Sequence, residues 1–363
     1  MISLSNASSL TDARSYAQPP FASRGPVSAR LIAILQQPID VGQRQDEALR
    51  RDVAEGLART TDVVHDDDLQ VALFLLYGLH YGSVIDADDA WEWHPSLVAA
   101  RLEIEREFEG ELRERVPVPA APTADRESMA SALFELTKPG PGPSLSQYVA
   151  RSATNEQLRE FLVQRSIYTL KEADPHSWAI PRLVGRAKAA MVEIQADEYG
   201  GGRADRMHSA IFAGSMRGLG LDDRYGAYVD NVPAITLASF NMMTMFGINR
   251  RLRGALTGHL AAFEMTSSVP NRFYGNGFRR LGYGSDVTWY FDEHVEADAV
   301  HEQIAGRDLA GSLAEDEPGL IDDIMFGANA CLVVDGWAGE HILDAWTAGR
   351  SSLRMPLSKA GRP

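Results

Sequence analysis

Residues 289–303 read WYFDEHVEADAVHEQ. Within this stretch Asp298 and His301 follow His294 at offsets of four and seven. At about 100° per residue these offsets fall within about 60° of one another around a helix axis, so three metal-competent side chains share one face over two turns. Two readings compete. A polar surface face would account for Asp292, Glu293, Glu296 and Glu302 nearby. An inward face accounts for Val295, Val300 and Ile304, which interleave with the three, and for both histidines lying on the stripe of the Asp.

Helical spacing extends outward from this stretch over nearly the whole chain. Helices are expected over residues 29–36, 45–59, 67–81 and 95–115, and then over 154–172, 181–199, 204–219, 234–246, 249–267, 287–304 and 318–347. Thr154 and Gln157 have capping-box spacing, and Pro181 suits a first helical turn. The one β-branched cluster, at 116–118, is broken by Pro117 and Pro119. The expected fold class is therefore all-α. Pro-rich stretches at 116–122 and 138–143 punctuate the chain. The expected organisation is a disordered tail over 1–26, an N-terminal helical extension over 27–144, and a compact helical domain over 145–363 on which the extension packs.

Composition narrows the functional classes. The chain has 363 residues, 50 Asp and Glu against 35 Lys and Arg, a formal charge of −15, 45% hydrophobic residues and one cysteine. The acidic balance argues against a nucleic-acid partner. A single cysteine excludes an intrachain disulfide and a Cys-rich zinc site. The most apolar stretch, 71–79, is too short to span a membrane, and the first residues lack the basic start and apolar core of a secretory signal. A cytoplasmic protein with no membrane partner is expected.

Further metal-competent residues lie upstream. Glu198 and His208 flank Gly200, Gly201 and Gly202, and a straight helix would leave them about 80° apart. The glycines either cap a helix or bend the chain so that both side chains reach one point. Glu172 ends an otherwise apolar helix, and Glu264 lies in another lined by Leu256, Leu260 and Phe263. Singly, each is an ordinary surface or capping acid. Together they form a set of carboxylates and imidazoles that a helical core tolerates only with compensating cations, and two ferrous ions would cancel four carboxylates. A carboxylate–imidazole set without thiolate suits iron or manganese. The paired Glu-x-x-His motifs of ferritin-like carboxylate proteins, the His-Glu-x-x-His of zinc proteases and the Walker phosphate loop are all missing from this sequence.

With these residues in view, the sequence resembles the heme-oxygenase-like diiron oxidases, also called iron-containing redox enzymes. The resemblance covers roughly residues 150–350 and is carried by Glu172, Glu198 with its Gly-Gly-Gly, His208 and the His294, Asp298, His301 helix. It implies a heme-oxygenase-like helical bundle holding two Fe(II) ions. It assigns Glu172, Glu198, His208, His294, Asp298 and His301 as ligands, with Glu264 as an additional carboxylate. It implies O2 as co-substrate, a small-molecule substrate and an external reductase as electron donor, since the chain carries no flavin or nicotinamide motif of its own. The implied activity is oxidation of a small amine or amino-acid derivative in specialised metabolism, with N-oxygenation favoured. Oxidative C–C cleavage or decarboxylation of an amino or fatty acid on the same site is the first alternative, and a non-catalytic helical interaction protein the second. A homodimer is compatible with such a domain.

Other residues carry weaker expectations. Arg279 and Arg280, between the ligand helices, read as surface charges or as carboxylate binders beside Phe273, Tyr274, Phe278 and Tyr283. Trp289, Tyr290 and Phe291 read as core. His176 and His259 are near ligands in sequence and could support them. Cys331, in an apolar helix, reads as a small buried hydrophobe and as a rival nucleophile without a histidine at suitable spacing.

Overall fold

Local signals set the helix starts. Asp66, Asp125, Ser144 and Thr154 each accept a backbone N–H of the first turn, and Gln157 returns the bond to Thr154 at 2.9 Å. The computed structural model describes residues 21–39, 45–82, 84–140, 142 and 144–357, and the backbone alone of 296–299. Its longer helices are α1 (Pro26–Leu35), α2 (Asp46–Arg59), α3 (Asp67–Tyr81), α4 (Pro95–Arg115), α5 (Arg126–Leu136), α6 (Leu145–Arg151), α7 (Asn155–Thr169), α8 (Gly185–Glu198), α9 (His208–Gly218), α10 (Ala234–Ile248), α11 (Arg253–Met265), α12 (Ser268–Arg280), α13 (Ser285–Gln303) and α14 (Ile321–Thr347). No strand occurs among the described residues, as the helical spacing predicts.

Several boundaries differ from those expectations. Pro181 sits in a separate 3-10 turn, Ile180–Arg182, and α8 starts only at Gly185. The helix expected over 154–172 stops at Thr169, which leaves Glu172 in a turn. The stretch expected as one helix over 249–267 opens with a 3-10 turn, Arg250–Leu252. Helices α5, α6 and α12 lie where none was expected: Asp125 and Ser144 cap the first two just after stretches that proline makes look like loop, and α12 starts without a side-chain cap. Past α13 the chain continues as a π-helical segment, Ile304–Gly311. Such wide turns shift the face a helix presents and are frequent at functional sites.

One continuous hydrophobic core runs through these helices. Helices α11 and α14 cross most closely. Gly258 faces the backbone of Ile324 and Gly327 that of Ala255, and a Cβ at either glycine would collide with a carbonyl oxygen. This approach fixes the helix carrying Glu264 against the helix carrying Asp335. The N-terminal helices join the same core: α3 packs on α10, where the Asn241 side-chain amide donates to the Gln70 carbonyl at 2.9 Å and to its side-chain oxygen at 2.8 Å. Of the tail expected over 1–26, residues 1–20 lie outside the described residues. From Phe21 onward the chain is anchored, since Phe21 is buried and the Arg24 guanidinium bonds to the carbonyls of Val229 and Val232. Among the described residues no helix is long and apolar enough to cross a membrane.

Candidate metal centre

Four segments converge on one point in the core. Glu172 comes from the turn after α7, where the next residue, Ala173, adopts a left-handed φ of 76° that redirects the chain at once. Glu198 ends α8 and His208 opens α9. Between them Gly200, Gly201 and Gly202 all have positive φ, at 67°, 59° and 81°. Gly200 follows the C-cap Tyr199, so the cap and bend readings of this loop are both realised. The loop folds α9 back so that His208 Nδ1 lies 2.8 Å from Glu198 Oε2. His294, on α13, faces Glu172 at 3.5 Å, and its ring lies tilted beside that of His208 with centroids 4.4 Å apart.

Glu172, Glu198, His208 and His294 each offer a ligand atom within 4.8 Å of the others, and Glu198, Glu264 and His301 form a second group by the same measure. Glu198 is common to both. All six residues are buried. Of the seven residues singled out in the sequence, the structure thus brings six together. The seventh, Asp298, lies on α13 one turn before His301, and its side chain lies outside the described residues.

The hydrogen bonds around the cluster orient its donor atoms. His294 Nδ1 stands 2.7 Å from the Tyr290 carbonyl, which accepts only from an N–H, so Nε2 keeps its lone pair toward Glu172. The Tyr290 hydroxyl donates to Glu172 Oε1 at 2.8 Å. His301 Nε2 meets Asp197 Oδ2 at 3.0 Å, leaving Nδ1 toward Glu264 at 3.4 Å. Three buried atoms, Glu172 Oε2, His208 Nδ1 and His301 Nδ1, make no well-directed hydrogen bond among the described residues despite these short approaches. They point at shared space more than at one another. Buried, unsatisfied oxygen and nitrogen donors with no thiolate fit a hard or borderline cation such as iron.

The electrostatics show the same tension. Burial works to raise the Glu172 carboxyl, but the imidazoles of His294 and His208 outweigh it and hold the group below the usual carboxylate range. Burial, with the charge of Glu198 added, lifts the Glu264 carboxyl. Burial opposes charge on His301, yet Glu264 and Asp197 raise its imidazole to about 9. His208 is raised against burial by Glu198. These are acids and bases compressed into one site with too little positive charge.

Residues outside the sequence-derived set complete the site. Tyr290 is core, as expected, and also steadies Glu172. Its signal is its position one turn before His294 on the same face. Asp197, largely exposed, adjoins Glu198 and carries no signal of its own. His176 Nε2 lies 3.0 Å from His259 Nδ1, and burial pushes both imidazoles down, His176 to about 4. His176 lines the small hollow at Glu172, behind the cluster. Arg279 pairs with Asp292, and Arg280 donates to the carbonyls of Val149, Ala150 and Ala153, so both tie helices together. Cys331 is buried, and burial drives its thiol well above the usual range, as befits a small hydrophobe. A cavity of about 640 Å³ adjoins the cluster, and Tyr168, Phe263 and Ser267 line both it and the hollow at Glu172.

Residues 159–336 match the family described as iron-containing redox enzyme. Nitrosourea synthase of Streptomyces achromogenes subsp. streptozoticus is 29% identical over 171 residues, which make up 47% of this chain and 36% of that protein. The chain therefore spans about a third of the length of the curated relative it matches. The crystal structure of a CADD-like protein of unknown function from Nostoc punctiforme aligns with 64% of this chain and 98% of its own, at 15% identity and a TM-score of 0.47.

Proposed function

We propose that this protein, whose residues 159–336 match the iron-containing redox enzymes and whose helical fold is heme-oxygenase-like, is an O2-dependent diiron oxidase acting on a small amine or amino-acid-derived substrate. The observation that carries the reading is the sharing of Glu198 between the two ligand groups. A carboxylate common to two sets of donors is what two adjacent ions require. Glu172, His208 and His294 would hold one ion, and Glu264 and His301 the other, with Glu198 between them. Asp298 stays in the second set on its spacing from His294 and His301. When bound, two ferrous ions supply electrons and open coordination positions for the activation of O2.

The chain's own residues have separate tasks. Tyr290 fixes the Glu172 carboxylate by donating its proton, and its carbonyl sets the His294 tautomer. Asp197 orients His301. Tyr168 and Phe263 stand between the cluster and the adjoining cavity, where they keep bulk water off the donors while leaving the substrate a wall to approach through. The electrons for repeated turnover would come from an external reductase. A nitroso group carries an N–O bond, so the likeness to a nitrosourea synthase supports N-oxygenation over C–C cleavage.

Anaerobic Fe(II) titration of the purified protein, followed by mixing with O2, tests this reading. Saturation at two irons per chain and a transient visible absorption are expected. Failure to bind iron with the helices intact would favour the interaction-protein alternative.

A further inference from the structure

The cavity beside the cluster is lined by two charged side chains that have no ion-pair partner among the described residues. Arg165, on α7, is packed between the rings of Phe161 and Tyr274, its guanidinium carbon 5.6 and 5.8 Å from their centroids. Its Nε has no hydrogen-bond partner, and no carboxylate stands at ion-pair distance among the described residues. The Tyr290 hydroxyl, which gives its proton to Glu172, accepts from the guanidinium, and it and the charge of Glu172 favour the cation against burial. Asp335, on α14, accepts from the Ser239 hydroxyl at 2.6 Å and has no cation at ion-pair distance among the described residues. Both side chains line the same cavity. Two further wall atoms, Thr169 Oγ1 and Asn271 Oδ1, also lack partners.

An arginine and an aspartate half-buried in one cavity would gain most by touching. Here the aromatic rings hold one and Ser239 holds the other, so that each keeps a face open to the cavity. Burial pushes the Asp335 carboxyl up, while Ser239 and the charge of Arg165 pull it back. Holding the two charges apart in one partly desolvated cavity forgoes that pairing and leaves both free for a ligand.

We propose that Arg165 and Asp335 are the two ends of a substrate clamp, Arg165 pairing with a carboxylate and Asp335 with a protonated amine, so that the cavity selects small zwitterionic amino acids. Arg165 supplies a planar fork suited to a carboxylate, and Asp335 a carboxylate oxygen for an ammonium group. Asn271 and Thr169 add places for polar atoms in between. The assignment rests on the reading that this cavity serves the metal centre, but its recognition chemistry does not require the metal.

The test is a ladder of unbranched amino acids, from glycine to 8-aminooctanoate, with one added methylene per step. Each is compared with the carboxylic acid and the alkylamine of the same length. Binding to the full-length chain is measured by calorimetry, with and without Fe(II). At the best-fitting length, the zwitterion should bind roughly tenfold or more tighter than either single-charge analogue, as expected of a charge-assisted contact. Arg165→Met should erase the advantage conferred by the carboxylate, and Asp335→Asn that conferred by the amine. Arg165→Lys, which keeps the charge without the fork, should retain part of the carboxylate preference and guards against misfolding of the Met variant. Both Arg165 variants should keep one cooperative ligand-free melting transition, so that a lost preference is not a lost fold. Equal binding of zwitterions and single-charge analogues at every length overturns the proposal. So does an Arg165→Met chain that melts cooperatively and keeps the ladder preference unchanged. Loss of Fe(II) binding with the preference intact supports the clamp while removing the diiron reading, so the two failures are distinct.

Discussion

His301 must give up a proton before it can hold a metal ion. Glu264 and Asp197 keep its imidazole charged up to about 9, against about 6.5 in an unfolded chain. A raised value means that the pairing stabilises the metal-free fold fully below about pH 6.5 and that this contribution is lost as pH rises through about 9. Metal binding runs the other way, because the proton must leave. Fe(II) or Mn(II) affinity should climb by close to one decade per pH unit between about pH 6.5 and 8.5, with proton release visible by calorimetry in two buffers. A flat profile would place His301 outside the ligand set. Asp197 supports the same ring, so Asp197→Asn should weaken metal binding by about 10- to 100-fold without unfolding the chain. At this scale the sequence was most legible where spacing on one helix did the work: His294 and His301 meet their partners as the i, i+7 pattern implies. Asp197 was not legible, because an exposed acid at a helix end looks like any other until the fold brings His301 over it. Arg165 was hidden for a related reason. It sits among ordinary polar residues of α7, Gln164 and Ser166, and only the tertiary structure shows that no carboxylate reaches ion-pair distance among the described residues.

The loop from Tyr199 to Met207 decides whether Glu198 and His208 meet. Gly200 and Gly201 both have positive φ but differ in surroundings. A Cβ on Gly200 would stand 2.5 Å from the carbonyl carbon of Arg206 and 2.7 Å from the Met207 nitrogen, whereas one on Gly201 would find nothing within 4 Å. Gly201→Ala should therefore cost only the left-handed penalty of about 1–2 kcal/mol, with metal stoichiometry unchanged. Gly200→Ala should cost more than that, since backbone must move, and it should also weaken metal loading by pulling His208 away from Glu198. Urea midpoints and iron titrations of the two variants, measured together, separate strain from displacement. Equal behaviour would mean that the return of α9 does not depend on this contact. In the sequence, three consecutive glycines left a cap and a bend as alternatives. Periodicity cannot register a reversal made of two short turns. The same blindness explains the missing helices α5 and α12: one follows a proline-rich stretch, and the other has its apolar residues too sparse to stand out from the pocket-like aromatics around them.

Seen as a whole, the molecule shares one core between the N-terminal helices and the helices that carry the metal centre. Proline-rich composition divides the sequence near residue 144, but packing does not follow that division. Helix α3 is buried on all sides from Leu69 to Gly78, which an isolated extension could not sustain in water. Phe74 is fully buried and meets Phe240 edge-on at 5.7 Å and Tyr225 at 6.1 Å. Asn249 reaches back to Glu105 at 3.0 Å, and Arg251 pairs with Glu109. Helix α10, which receives Phe74, also carries Ser239, the partner of Asp335, so the N-terminal helices brace one wall of the substrate cavity. Phe74→Ala should then cost about 3–5 kcal/mol, the usual penalty for emptying an aromatic site in a packed core. The loss should appear as a shift of a single unfolding transition, read identically by helical circular dichroism and by tryptophan fluorescence, because Trp91 lies in the extension and Trp346 in the last helix. An independently folded extension would behave differently: the variant would split the curve, moving an early transition and leaving the metal-bearing helices to unfold where they did before. Fe(II) added to the variant tests the linkage from the other side. Metal bound only by the native state should recover part of the lost midpoint in proportion to its affinity, and in one cooperative unit that recovery must extend to the N-terminal helices.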